Sequence, residues 1–212
     1  MLNPKQVGNI FCVGRNYPLH IEELGNQRSK DCLVFTKPTH ALIEAKDQII
    51  ALPGDRGEVH YEIEVVVHIS SPYKKGVALE DIVDYMTLGI DMTLRDVQTA
   101  LKQDGHPWLP AKGFRNAAIL GSYIPFPHDN EYLQTPFHLV KNKQVVQEGR
   151  MVDMIFSLGD IIHHCGLHYG LSENDIIYTG TPNGVGKLNN GDTLEMYWGE
   201  NKLGACTISL EK

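Results

Sequence analysis

The stretch Gly57–Ile69, GEVHYEIEVVVHI, constrains this chain more than any other. It alternates as a half-buried strand does, with Ile63, Val65 and Val67 on one face and Glu62, Glu64 and Val66 offset by one. Glu62 and Glu64 therefore project from the same side. Two like charges that close repel, and a divalent cation between them would remove the conflict while using their oxygens. A solvated strand face carrying two glutamates would look the same in sequence. Other residues converging on the spot decide between the two.

The 212 residues suffice for one sizeable core and suggest one domain, 1–212. A net charge of −7 disfavours nucleic acid and anionic membrane as partners, whose phosphates would be repelled. No apolar run approaches the roughly 20 residues needed to cross a bilayer. The N-terminus, MLNPKQVGNIFCVG, resembles no targeting segment, so a cytoplasmic protein is expected. Cys12, Cys32, Cys165 and Cys206 are scattered without metal spacing and read as reduced packing residues.

Strand patterns outnumber helical ones, and no sustained alternation of strand and helix is seen. The expected class is α+β, rich in β, with short helices at the margins. Strands are predicted at Asn9–Val13, Cys32–Thr36, Gln48–Leu52, Thr87–Met92, Ala117–Gly121, Asp175–Thr179, Thr193–Trp198 and Leu203–Leu210. Phe137–Val140 and Gln144–Gln147 flank Asn142-Lys143 as a hairpin. Helices are predicted from Pro18 to Gly25, over Leu79–Tyr85, from Thr93 to Gly105, and over Asp153–His168.

Four constellations carry candidate chemistry. Asp91 closes a strand, Thr93 could cap the next helix, and Arg95 and Gln98 follow at positions sharing a face with Asp91 if the helix starts at once. That set suits a metal and a carboxylate, or an exposed Asp–Arg pair worth only about 0–1 kcal/mol. Lys112, in WLPAKGF, is constrained between prolines and an aromatic and could bind an enolate or carboxylate; a solvated loop lysine is the plain alternative. His20 and Glu23 are spaced i, i+3, as a carboxylate orienting an imidazole base would be. His164 and His168 share a helix face but lack the carboxylate of a metal helix and are not taken as ligands. The Thr181–Gly191 loop fails the phosphate-loop spacing, because Thr181 stands where Gly is required and Leu188 follows Lys187. A tight turn offering backbone N–H groups and a Thr hydroxyl to a small anion fits it better.

Taken in order, CVGRNYPLHIEE, YEIEVVV, GIDMTLRDVQ, PWLPAKGF, VDMIFSLGDII and IIYTGTPNGVGKLNNGD resemble the fumarylacetoacetate hydrolase family, closest to its acylpyruvase and oxaloacetate decarboxylase branch. The resemblance runs from Cys12 to Asp192. It implies a roll of mixed β-sheets with short peripheral helices, a homodimer, and Mg²⁺ or Mn²⁺ held by Glu62, Glu64 and Asp91. Three carboxylates without thiolate or imidazole are suitable ligands for such hard cations. It further implies Lys112 and Arg95 against substrate charge, Arg15, Gln98 and Thr181 on the substrate, and His20 with Glu23 as a catalytic dyad on a closing segment. The implied reaction is cleavage of acylpyruvates to pyruvate and a carboxylic acid. Oxaloacetate bound the same way could lose CO₂ or be tautomerised, and a non-catalytic keto-acid-binding protein is the alternative of another class. Two departures stand out. Arg115 follows KGF where many members carry Asp, which would leave the pocket with a cation more or an anion fewer and so bear on which acid is accepted. Pro18-Leu19 replace a frequent Ala-Asp in the lid, which bears on how His20 is placed.

Overall fold

The computed structural model describes residues 6–127 and 129–212. In chain order the elements are β1 (Ile10–Gly14), α1 (Pro18–Glu23), β2 (Leu33–Lys37), β3 (Leu42–Glu44), β4 (Lys46–Pro53), β5 (Val59–Tyr61) and β6 (Ile63–Ile69). There follow α2 (Leu79–Ile82), β7 (Val83–Asp91), β8 (Thr93–Leu94), α3 (Arg95–Gln103), α4 (Leu109–Lys112), β9 (Ala118–Leu120) and β10 (Ile124–Pro125). The last third contributes β11 (Phe137–Lys141), β12 (Gln144–Gly149), α5 (Leu158–His168), β13 (Ile176–Tyr178), β14 (Gly186–Lys187), β15 (Thr193–Trp198) and β16 (Asn201–Glu211).

The strands form an eight-stranded sheet ordered β2-β1-β13-β6-β7-β9-β3, with β10 on β7, a five-stranded sheet β12-β11-β15-β16-β4, and a small sheet β14-β5-β8. Parallel pairs (β1 with β13, β3 with β9, β16 with β4) stand among antiparallel ones, so the sheets are mixed. This is the expected β-rich α+β architecture, and the sheets share one continuous apolar core. Among the described residues no helix is long and apolar enough to cross a membrane.

The Gly57–Ile69 stretch departs from its half-buried reading. It splits at Glu62 into β5, in the small sheet, and β6, at the centre of the large one. Every residue of β6 is buried. The five-stranded sheet covers β6 and β7 from one side, so the offset Val66 is as buried as Val65 and Val67. The Glu62 carbonyl accepts the Asp91 N–H at 2.8 Å, which fixes the joint between the sheets against the end of β7.

Two helical readings shorten. Leu79–Tyr85 is helical only to Ile82, because Val83 onward pairs with β6 and the strand ladder overrides the local pattern. Asp153–His168 begins its α-helix at Leu158, where Ser157 and Asp160 form a capping box. The Asn142-Lys143 hairpin is as predicted, with both residues at positive φ, 51° and 68°. Gly89 lies opposite Glu64 on β7, and a Cβ there would stand 2.6 Å from Tyr178 and 2.9 Å from the Ile119 carbonyl. That gap admits Tyr178, whose hydroxyl donates to the same carbonyl at 2.9 Å. All four cysteines are free and buried.

Candidate active site

The site lies where the small sheet meets the large one. The turn after β1 brings Arg15, α1 brings His20, the β5–β6 joint brings Glu62 and Glu64, and the end of β7 brings Asp91. Helix α3 adds Arg95 and Gln98, α4 adds Lys112, and the loop after β13 adds Thr181. These side chains line one narrow cavity that opens to solvent. Glu23 stands behind His20 rather than on the wall. Ten candidate residues from distant segments are thus brought together.

The carboxylates form the floor. Glu62, Glu64 and Asp91 are all buried, and each offers an oxygen within 4.8 Å of the others. Lys112 Nζ donates to Glu62 Oε2 at 2.8 Å, to Asp91 Oδ2 at 2.6 Å and to Thr93 Oγ1 at 2.6 Å. Thr93 therefore serves Lys112 and not as the helix cap. The cap position falls to Leu94, whose aliphatic side chain has no hydrogen-bond acceptor to offer. Arg95 binds Glu62 through Nη2 and Gln98 Oε1 through Nη1, the latter at 2.8 Å. Asp91 precedes the helix on the strand end, so the three residues meet around the cavity without sharing a helix face.

Electrostatics separates the three acids. Burial pushes Glu62 up, but Lys112 and Arg95 outweigh it and hold its carboxyl well below the usual range. Glu64 is pushed well above its usual range by burial, then by Asp91 and Glu62, against one hydrogen bond from the Gly180 N–H at 2.8 Å. Lys112 is held charged because Asp91 and Glu62 outweigh its burial. Asp91 Oδ1 lies 2.6 Å from Lys37 Nζ but accepts no hydrogen bond of acceptable geometry, so that contact is one of charge alone. A buried carboxylate oxygen without a donor, beside two more acids, fits a hard divalent cation.

The His20 side chain is buried, with Nδ1 3.3 Å from Glu23 Oε2, and Glu23 Oε1 accepts the Gly184 N–H at 3.0 Å. Burial lowers the His20 pKa below its usual 6.5, against the opposing pull of Glu62 and Glu23. Pro18 opens α1 at its first turn and Leu19 points to solvent, so Pro18-Leu19 leave His20 facing inward. At the Gly-rich loop the Gly180 N–H, just before it, donates to Glu64 and the Gly184 N–H to Glu23, two of this chain's own carboxylates. Arg115 is a correction of another kind. It lines a separate cleft with Arg56, Asn116 and Glu211 and adds no cation to the cavity. The His164 and His168 rings lie 4.6 Å apart, tilted by 50°, and neither lines the cavity.

Three participants escaped the sequence reading. Lys37, at the end of β2, is buried against Asp91 and donates to the Met92 and Lys112 carbonyls. Its only signal was a lysine closing the apolar run LVFT before Pro38. Gln147, buried on β12, donates to Thr181 Oγ1 at 2.9 Å and accepts the Ile63 N–H at 2.9 Å, tying the hairpin to the site. Lys102, one turn past Gln98 on α3, reaches the cavity wall beside Trp108.

The chain is 37% identical over 195 residues to an oxaloacetate tautomerase of Escherichia coli, covering 89% of this chain and 87% of that one. It is 34% identical over 206 residues to a mitochondrial oxaloacetate tautomerase of Homo sapiens, covering 96% and 92%. The crystal structure of fumarylpyruvate hydrolase from Pseudomonas aeruginosa, in complex with Mn²⁺ and pyruvate, superposes with a TM-score of 0.87 at 28% identity, covering 97% of this chain and 91% of that one. Residues 9–210 match the family described as Fumarylacetoacetate (FAA) hydrolase C-terminal, and the chain belongs to that family.

Proposed function

We propose that residues 1–212 work as one catalytic unit, a Mg²⁺- or Mn²⁺-dependent enzyme that interconverts the keto and enol forms of oxaloacetate. The observation that carries this reading is the buried Glu62–Glu64–Asp91 cluster facing the same cavity as an imidazole held by a carboxylate. The oxaloacetate tautomerases among its relatives support it. Glu62, Glu64 and Asp91 would hold the cation, which when bound supplies Lewis-acid stabilisation of developing enolate charge.

The chain's own groups do the rest. His20, neutral and oriented by Glu23, removes the proton from the carbon beside the ketone and returns one to the enolate oxygen or carbon. Lys112 and Arg95 offset the negative charge that gathers as the carbon–hydrogen bond breaks. Gln98 and Thr181 hold the keto-acid end by hydrogen bonds, and the aromatic wall of Phe35 and Trp108 limits water.

A second reading is hydrolytic cleavage of acylpyruvates, which the likeness to fumarylpyruvate hydrolase favours. There His20 would take a proton from water, which attacks the distal carbonyl; the carbon–carbon bond breaks and pyruvate leaves as its enolate. Oxaloacetate could reach the same enolate by losing CO₂. Proton NMR of oxaloacetate and of acetylpyruvate with Mg²⁺ separates the outcomes: enol–keto exchange, CO₂ loss, or acetate with pyruvate. Fast exchange without pyruvate is expected for oxaloacetate, and Glu64→Ala is expected to abolish it while leaving the far-UV circular dichroism intact. Exchange at the full rate in the chelator-treated variant would overturn the reading.

A further inference from the structure

The mouth of the cavity holds two cations that the acidic floor does not use. Glu62 pairs with Arg95 and Lys112, and Asp91 with Lys37 and Lys112, so the floor's own acids take up these three cations. Arg15 and Lys102 line the same cavity. Among the described residues neither has a carboxylate oxygen within 4.0 Å.

Both are held in place. Arg15 sits at φ 59°, a left-handed conformation unusual for a side chain of its size, in the turn that Asn16 pins to the Thr179 and Phe156 carbonyls. One guanidinium nitrogen reaches the Gln27 carbonyl at 3.4 Å, and Nε is buried without any partner. Lys102 Nζ lies 5.4 Å from the centre of the Trp108 ring. Burial first, then Arg15 and Arg95, lowers its pKa to about 8. The stacking on Trp108 would account for the position of Lys102 alone. It gives no reason for Arg15 to be turned toward the same cavity, where the two cations repel each other at partial burial.

A 2-keto acid with an uncharged tail would leave both cations shielded from water and unpaired, which is costly. A second carboxylate offsets them. Resting on the keto-acid reading above, we propose that Arg15 and Lys102 form a subsite for a second carboxylate at the cavity mouth, so that this chain selects 2-keto dicarboxylates over 2-keto acids with neutral tails.

The test compares oxaloacetate with its C4 methyl ester, which keeps the shape and removes the tail charge. Enol-to-keto conversion with Mg²⁺ is followed in the wild type and in Lys102→Gln, Lys102→Arg and Arg15→Gln. The wild type should prefer oxaloacetate in kcat/KM, and each Gln variant should shrink that preference by about tenfold, chiefly through the KM for oxaloacetate. Lys102→Arg should keep most of it. Equal treatment of the two compounds by the wild type, or equal losses for both in the variants, would overturn the subsite. If neither compound turns over, the keto-acid reading has failed and calorimetry still decides the subsite. L-malate should then bind the Mg²⁺-loaded protein more tightly than L-lactate, and Lys102→Gln should narrow the gap. No gap, or an unchanged one, would overturn the proposal.

Discussion

His20 is buried, and burial and charge act on it in opposite directions. Burial disfavours the imidazolium, so the folded pKa lies below the usual 6.5 and the neutral base persists to lower pH. At saturating Mn²⁺ the acid limb of kcat for tautomerisation should therefore fall below pH 6.5, and a pH–rate profile checks it. A limb at higher pH would assign the base elsewhere. Lys37 carries a different burden. It is wholly buried, and removing its charge leaves Asp91 Oδ1 with no cation beside it. Lys37→Met should cost about 3 kcal/mol in urea unfolding, and added Mn²⁺ should recover part of the loss. The candidate ligands were legible because carboxylates within an apolar run are odd, whereas the His20–Glu23 spacing arises easily by chance among ten histidines and gained weight only from the motifs around it. Lys37 was not legible, since a lysine closing a strand before proline looks like an ordinary solvated end.

At the level of elements, β6 and β7 do most to place the chemistry. Their pairing sets Glu64 opposite Gly89 and ends at Asp91. Gly89→Ala drives a Cβ into Tyr178 and the Ile119 backbone, and only one of those can move easily. It should destabilise the protein by about 1–3 kcal/mol in urea unfolding. It should also weaken Mn²⁺ binding measured by calorimetry, because Glu64 shifts with its ladder partner. The existence of these strands was readable from alternation. Their burial was not, because the strands that cover them, β11, β15 and β16, come from residues 137–211 and leave no trace in the local pattern. The start of β7 was hidden for a related reason: Val83 to Tyr85 follow a helical turn and become strand only by pairing with β6 and β10.

For the whole molecule, the mixed sheets and short helices follow the family expectation, while association stays a proposal. We propose a homodimer. Leu19, Val145 and Val152 leave apolar side chains open to solvent, at 60%, 58% and 47% exposure. Light scattering should return a mass about twice the 23.7 kDa of the chain; a value near the single mass would refute it. The way the large sheet is closed has a further consequence, for biosynthesis. Strand β13 lies between β1 and β6, pairing Ile10 with Ile176 on one side and Val67 with Ile177 on the other. A nascent chain that has not yet released residue 178 already carries His20, the three acids and Lys37, Lys102 and Lys112, yet the strand between β1 and β6 is missing and the contacts of Lys37 with Asp91, Met92 and Lys112 are left to bridge the two halves. A ribosome that stalls before that point yields a polypeptide bearing nearly every reactive group without the strand that seats them side by side.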